Sequence, residues 1–388
     1  MNNALPSPAR LTLNKFPSFI MMILALTTGC RKVEIAKDLR NFTQVNLVSN
    51  TAKYSPVHMD GTLMNAWGLA WAPSGIPWVN SNGKGVSEVY NSEGAMVRPP
   101  VNIPTSTDTT GGPVSGIVFA GGKGFRLSNG AAANFLFVSE DGILSGWNGA
   151  AGNNAIRIKD LSATSRFKGL AIGSRGTKSY IYAADFKAAR VLVWDTSFTP
   201  ISMPFHDPGI PSGFAPFNIQ AIGNWLFVTY AKVGPTGDDV KGPGNGFVDI
   251  FGMDGSFMNR FASRGVLNSP WGLTAAGGTF LDADDMDKDD LPGDDQGHGG
   301  NSGKGSSHSD LHPDSVILVG NFGDGRINAF NLNGQLLGQL RSNHQTIVIN
   351  GLWALSFAPA TSTVDKTRLY FTAGPDDETN GLFGYLRK

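Results

Sequence analysis

The sequence predicts an all-β fold: a six-bladed β-propeller, its ring closed by an N-terminal strand that completes the last blade. Three observations lead there. A short apolar strand recurs six times, as NAWGLAW from Asn65, VSGIVFA from Val114, FKGLAIG from Phe167, FNIQAIG from Phe217, PWGLTAA from Pro270 and LWALSFA from Leu352. Each is followed by further β-rich runs and turns, and multi-strand repeats of about 40–50 residues mark a propeller. The composition agrees: 50 glycines and only 16% charged residues suit short apolar strands joined by tight turns, and no helical period persists beyond the N-terminal region. Finally, the sixth repeat runs out of chain after three strands, whereas Phe42–Val48 alternates with period two ahead of the first repeat. Pairing these two segments supplies the missing outer strand and leaves no open edge.

In order, blade one reads as GLAWA, PWVNS, VSEVYN and RPPVNIP, with turns at Gly83-Lys84-Gly85 and Glu93-Gly94. Blade two runs from Val114 through NFLFVSEDG and ILSGWNG to AIRIKDL, and blade three is GLAIG, SYIYAAD, ARVLVWD and ISMPFHD. Blade four is IQAIG, WLFVTYA, GFVDIFGMDG and FMNRFAS; blade five is WGLTAAG, SVILVGNFGDG, RINAFNLNG and LLGQLRS; blade six is LWALSFA, RLYFTAG and LFGYLRK. Neighbouring blades pack sheet on sheet, so Trp71, Trp78, Phe137, Trp147, Trp194, Trp225, Phe227, Trp271 and Trp353 are expected as fillers between them.

One insertion breaks the spacing. Gly68 to Gly116 spans 48 residues and Gly169 to Asn218 spans 49, but Gly272 to Ala354 spans 82. The excess is Asp282–Asp314 in blade five, with ten Asp, three His and almost nothing apolar, so a solvated loop is expected. Asp282, Asp284, Asp287 and Asp289 could bind Ca²⁺ through carboxylate oxygens, although the EF-hand Gly and Glu are missing. His298, His308 and His312 are too loosely spaced for a transition-metal site.

The N-terminus reads as an address. Arg10 and Lys15 precede a short apolar core, Phe19–Leu26, and then Thr27-Thr28-Gly29-Cys30. The apolar core is too short to span a bilayer. The arrangement resembles a bacterial lipoprotein signal, with Cys30 lipidated as the new N-terminus and Thr27 in the usual Leu slot; an ordinary signal peptide is the alternative. The expected organisation is a signal peptide over 1–30, a polar tether over 31–41 and the propeller over 42–388. The protein would then sit on the cell envelope, facing periplasm or exterior, with its lipid anchor as its only membrane contact. Cys30 is the sole cysteine, which excludes an internal disulfide framework. The formal net charge of +0 argues against nucleic acid as a partner. A monomer that meets an envelope or extracellular ligand is expected.

Polar residues that repeat at equivalent places in a propeller converge on its central channel. One set, at the start of the inner strands, is Asn65, Ser115, Lys168, Asn218, Asn268 and Asn350; a second, after the second strands, is Asn80, Glu140, Asp185, Lys232, Asn321 and Asp376. Such rings could hold Ca²⁺ or another divalent cation, or orient a polar ligand. Asn and Asp also cap turns, which would repeat them for structural reasons. There is no GxSxG elbow, HExxH or Walker loop.

The segments NLVSN from Asn46, NAWGLAWAPSGIPWVNSNGKGVSEVYNSEG from Asn65 and VILVGNFGDGRINAFNLNG from Val316 resemble an uncharacterised family of exported bacterial six-bladed propellers. The resemblance runs from about Phe42 to Lys388, and the Asp-rich loop departs from it. More distantly, Asn321–Ile327 (NFGDGRI) is similar to NHL repeats and to the wider clan of gluconolactonase-like hydrolases. That resemblance implies a channel cation on Glu, Asn and Asp, for which Glu140, Asn218 and Asp376 are of the right type. Two functions follow as expectations: a non-catalytic binding or interaction module, or a metal-dependent hydrolase of the lactonase type. A purely structural envelope protein is the third. Two or three channel carboxylates at metal-ligand distance would favour the enzyme; a channel plugged by apolar side chains would favour the binder.

Overall fold

Six antiparallel sheets radiate from a common centre in the computed structural model, which describes Met1 and residues 37–121, 124–281, 311, 312 and 314–388. Blade one comprises Ala66–Trp71, Pro77–Ser81, Val86–Tyr90 and Met96–Asn102. Blade two comprises Val114–Phe119, Phe135–Ser139, Ile143–Trp147 and Ile156–Asp160. Blade three has Phe167–Arg175, Lys178–Asp185 and Arg190–Asp195. Blade four has Phe214–Ile222, Trp225–Lys232, Gly246–Gly252 and Phe257–Ser263. Blade five has Pro270–Ala276, Val316–Asn321, Ile327–Asn331 and Leu336–Gln339. Blade six has Leu352–Ser356, Leu369–Ala373 and Leu382–Arg387, and takes Thr43–Ser49 as its fourth strand.

The inner strands touch in sequence from blade one to blade six and back to blade one, which closes the ring. Apolar cores fill the six seams. Trp78, Phe135, Phe137 and Trp147 pack between blades one and two, for example, and Phe227, Phe261 and Phe330 between blades four and five. Trp225 departs from the expected role: it is 39% exposed, because it begins its strand at the rim beside Met258 and Leu332.

The ring closure is as predicted. Thr43–Ser49 runs antiparallel to Leu382–Arg387, and the two-residue strand His58–Met59 then adds in parallel outside it. Phe42, Leu47 and Val48 are buried, and Ser49 Oγ donates to the Gly381 carbonyl at 2.8 Å. The polar segment meets the propeller before this strand begins: Asp38 N donates to Leu281 O at 2.7 Å and Arg341 N to Leu39 O at 2.8 Å. Residues 1–30 and most of the expected tether lie outside the described residues, apart from Met1.

Blade three differs from its expected four strands. ISMPFHD makes only an isolated bridge from Pro200 to Trp194 and one bond from Ile201 N to Val193 O. Pro204, the one proline within the segment, carries no amide hydrogen to give to a ladder. Phe205 N turns instead to Gly255 O of blade four, at 2.9 Å.

Gly351, which leads into the inner strand of blade six, has φ +67°, and a Cβ there would lie 2.2 Å from the Gly374 carbonyl. Both the left-handed backbone and the contact with neighbouring main chain oppose any side chain. Gly351→Ala should therefore lower the melting temperature by several degrees, about 2 kcal/mol or more, as read by thermal denaturation.

Candidate functional site

On five of the six inner strands a Gly or Ala, and on the fourth Asn218, stands at the equivalent position facing the neighbouring blade. These positions are Gly68, Gly116, Gly169, Asn218, Gly272 and Ala354. A Cβ on Gly68 would come 2.3 Å from Ser115 O, and one on Gly169 would come 2.1 Å from Asn218 Oδ1. The residues just before them are Trp67, Ser115, Lys168, Phe217, Trp271 and Trp353, one from each blade. Side chains alternate along a strand, so this register differs from that of the small residues.

Four of these six are aromatic, and they plug the channel. Trp353 stacks on Trp67 at 3.7 Å and on Phe322 at 3.8 Å; Trp271 meets Trp353 edge-on at 6.0 Å, and Phe217 is 5.9 Å from Trp353. All are buried in one cluster with Phe186. Between the inner strands a cavity of about 50 Å³ is lined by Gly68, Gly116, Gln220, Thr274 and Ser356 among others. That is room for a water or two, not for a threaded ligand.

A polar rim covers the plug. Lys168 is 3% exposed, and its Nζ lies 2.5 Å from Glu140 Oε1 and over the Trp67 ring at 5.0 Å, with Phe186 and Phe217 at 5.8 and 5.9 Å. Glu140 Oε2 accepts from Asn82 Nδ2 at 3.0 Å. Asn65 Nδ2 donates to Asn82 Oδ1 at 3.4 Å and to Glu378 Oε2 at 2.7 Å, while Asn65 Oδ1 accepts from Trp353 Nε1 at 2.8 Å. Lys241 lies over Phe322 at 4.4 Å. Burial holds the Asp239 carboxyl above the usual range, and its Oδ2 has no hydrogen-bond partner. Burial likewise raises Glu378, helped by the nearby charge of Glu140 and opposed by Lys168. The rim thus brings three carboxylates and two ammonium groups over an aromatic floor; five blades contribute to the rim, and blade five adds Trp271 and Phe322 to the floor. Two indole donors in that floor, Trp67 Nε1 and Trp271 Nε1, are buried without an acceptor among the described residues.

Glu378 was not among the residues expected from the sequence. It reaches Asn65 because Asp376, Asp377 and Glu378 have φ of +57°, +52° and +66°, a left-handed turn made without glycine. Such a run is unfavourable for L-residues and persists only when its surroundings hold it. Asp376 helps to hold it from outside, accepting from Lys53 Nζ at 2.5 Å, Tyr54 OH at 2.7 Å and Asn380 Nδ2 at 2.8 Å. These hydrogen bonds, with that of Lys53 foremost, bring the Asp376 carboxyl down to about 2.

Of the expected residues, Asn65, Glu140 and Lys168 join the rim, and the others are engaged elsewhere or exposed. Asn80 Nδ2 donates to Ser115 O at 3.0 Å and Asn218 Nδ2 to Trp271 O at 2.6 Å, each tying two inner regions together. Asp185 accepts from Ser165 Oγ at 2.8 Å and from the Arg166 amide at 3.1 Å. Asn268 Oδ1 accepts from the Gly242 amide at 2.6 Å. Asn321 caps its turn through Val266 O at 2.7 Å and Asp324 at 3.0 Å. Asn350 and Lys232 are exposed.

The ligand set suggested by lactonases does not assemble. Glu140 is committed to Lys168 and Asn82, Asn218 to Trp271, and Asp376 to Lys53 and Tyr54. Among the described residues, no three His, Cys, Asp or Glu come together as a metal site. Asp282, Asp284, Asp287, Asp289, His298, His308 and Cys30 lie outside the described residues.

No family model matches the sequence. Uncharacterized protein L690 of Acanthamoeba polyphaga mimivirus is 30% identical over 360 residues, covering 89% of this chain and 86% of that protein. The chain belongs to its family. Uncharacterized protein R648 of the same virus is 29% identical over 357 residues, 88% of this chain and 79% of that protein. These relatives are viral, so the bacterial and exported character expected from the sequence is not shown by them. Among solved structures, a streptogramin B lyase gives a TM-score of 0.46 at 12% identity, over 89% of this chain and 97% of that one. A gluconolactonase from Xanthomonas campestris gives 0.44 at 14% identity, over 84% and 86%. These two likenesses concern architecture and carry no reaction with them.

Proposed function

We propose that the protein is a non-catalytic binding module that seats a polar ligand on the rim of Glu140, Lys168, Asn65 and Glu378. The observation that carries this reading is the buried Lys168 held over an aromatic plug and tied to Glu140, with Glu378 facing the same mouth. Mixed charges above stacked rings suit a ligand with one flat apolar face and polar edges. The unpartnered indole donors of Trp67 and Trp271 suit a ligand that brings an acceptor oxygen. The plug supports seating at one mouth rather than passage through the channel. In this reading the propeller is a monomer presented at the cell envelope, anchored by lipid on Cys30.

The lactonase-type hydrolase stays as a second reading on one observation: burial and the charge of Glu140 raise the Glu378 carboxyl above its ordinary value, the direction in which a general acid or base is tuned. One experiment separates the two. Trp67 and Trp353 lie under the rim, so intrinsic fluorescence should report binding in a screen of sugars, lactones and short peptides, run with and without divalent cations. We expect a saturable fluorescence change without turnover, weakened at least about tenfold in Lys168→Met. The melting temperature of that variant should stay within a few degrees, since Met keeps the stem packed on the rings. Cation-dependent turnover of a lactone, abolished by Glu378→Gln, would replace the binder with the hydrolase.

A further inference from the structure

Among the described residues, four carboxylates are buried: Glu88, Asp185, Asp207 and Asp249. Three have a cationic partner. Asp185 takes Arg190 at 3.3 Å, and Asp207 and Asp249 share Arg260. Glu88 has none. It is 0% exposed, and neither of its carboxylate oxygens has a hydrogen-bond partner. It stands on the third strand of blade one, opposite Val79 and two residues before Tyr90, so it shares their face toward the seam between blades six and one. An enclosed carboxylate without proton, donor or counter-charge is strongly disfavoured.

The groups acting on Glu88 are all oxygens. They are the Thr62 hydroxyl and the carboxylate of Asp60. Thr62 Oγ1 gives its one proton to Asp60 Oδ1 at 2.5 Å, and the Tyr90 hydroxyl gives its own to Asp60 Oδ2 at 2.8 Å. The Tyr90 proton is thus committed to Asp60, and the single Thr62 proton serves Asp60 and Glu88 between them, so acceptor oxygens outnumber protons and lone pairs remain unsatisfied. Two carboxylates and a hydroxyl, with no basic side chain among the groups acting on Glu88, make a donor set for a hard cation. Asp60 and Thr62 belong to the loop after His58–Met59; Thr62 is exposed and Asp60 half-buried, so the site has a route to solvent.

We propose that Glu88 and Asp60 bind a Ca²⁺ ion in the seam between blades six and one, with Thr62 completing the protein ligands. This site is separate from the central mouth and does not depend on the function proposed for it. A bound ion would bridge the blade that contains the N-terminal closing strand to its neighbour. Burial, with the charge of Asp60 adding to it, brings the Glu88 carboxyl up to about 7. Protons and cations therefore compete for it near neutrality.

The test uses the full-length protein, its Glu88→Gln and Asp60→Asn variants, and two probes. Millimolar Ca²⁺ against a chelator should raise the wild-type melting temperature by about 3 °C, by mass action on the folded state. The shift should vanish in Glu88→Gln, which keeps shape and volume. Terbium should luminesce on excitation of Tyr90, with the signal displaced by Ca²⁺ and lost in both variants. Should Glu88→Gln fold poorly, Asp60→Asn, altered in a half-buried loop position, still gives the luminescence readout. An absent Ca²⁺ shift in the wild type overturns the proposal, and so does an equal shift in Glu88→Gln, which would place the ion elsewhere. A Glu88→Gln variant that is more stable than wild type with or without Ca²⁺ would make Glu88 a buried neutral acid and overturn it as well.

Discussion

Removing residues 42–49 should abolish cooperative folding or lower the melting temperature by more than about 15 °C, although it takes away only one edge strand. The segment buries Phe42, Leu47 and Val48, and Phe42 lies 5.0 Å from Phe280 in the core shared by blades five and six. Full burial of such side chains contributes about 1.5–3 kcal/mol each, so three of them approach the whole stability of an ordinary domain, about 5–15 kcal/mol. The ladder to Leu382–Arg387 would be lost too, exposing the edge of blade six. The single substitution Phe42→Ala should cost about 3–5 kcal/mol. Circular dichroism during heating checks both, and a deletion that melts within 5 °C of the intact chain would show that the ring does not depend on this closure.

The effect is large because the strand joins the two ends of the chain. A propeller blade packs on neighbours at both faces, and loss of the closing strand strips the outer edge of one blade and the packing of the seams beside it. Contacts between segments more than 330 residues apart, such as Ser49 Oγ with Gly381 O, also carry a high loop-closure cost that is met only once the ring forms. Loss of the strand is therefore expected to slow refolding as well as to lower stability.

The propeller was legible because its evidence is local and repeated. Six apolar inner strands, the turns between them and the alternating segment from Phe42 can be read without knowing what they touch. The outer strand of blade three is not legible, because the apolar residues of ISMPFHD suggest a strand, whereas Pro204 offers no donor and Phe205 N turns to Gly255 O of blade four. The channel rim was legible only in part, and the reason is register. Side chains alternate with period two, so a shift of one residue turns a chosen position away from the centre. Ser115 and Lys168 share the register of Trp67, Phe217, Trp271 and Trp353, whereas Asn218 lies one residue beyond it and Asn65, Asn268 and Asn350 lie before it. Asn65 still reaches the site because its φ of +48° turns it there, as Ser269 at +46° and Gly351 at +67° turn the chain before the other two tryptophans. That pattern, a left-handed residue two positions before a Trp in blades one, five and six, was the available signal. Glu378 gave no comparable one, since nothing in Asp-Asp-Glu announces a left-handed turn. Glu88 reads as an ordinary outward residue between Ser87 and Val89; only the packing of blade six against it makes it unusual.

Trp353→Ala should be the most damaging point substitution in the channel, at about 3–5 kcal/mol. Trp353 is stacked on both faces, by Trp67 at 3.7 Å and Phe322 at 3.8 Å, so truncation leaves two flat rings without a partner and a void too deep for the six inner strands to close. It also removes the indole donor at 2.8 Å from Asn65 Oδ1, freeing the side chain that positions Glu378. Trp353→Phe separates the two contributions. Phe retains most of the stacking and loses the donor, for which about 1 kcal/mol is expected. If the rim is the binding site, Trp353→Phe should weaken the ligand through Asn65 and Glu378 while leaving the melting temperature nearly intact, whereas Trp353→Ala should lose both. A purely structural plug predicts something else: Trp353→Phe would bind like the wild type, and any loss of binding would follow the loss of stability. Measuring ligand affinity and melting temperature on the two variants side by side therefore decides whether the aromatic plug only fills the channel or also sets the geometry of the rim above it.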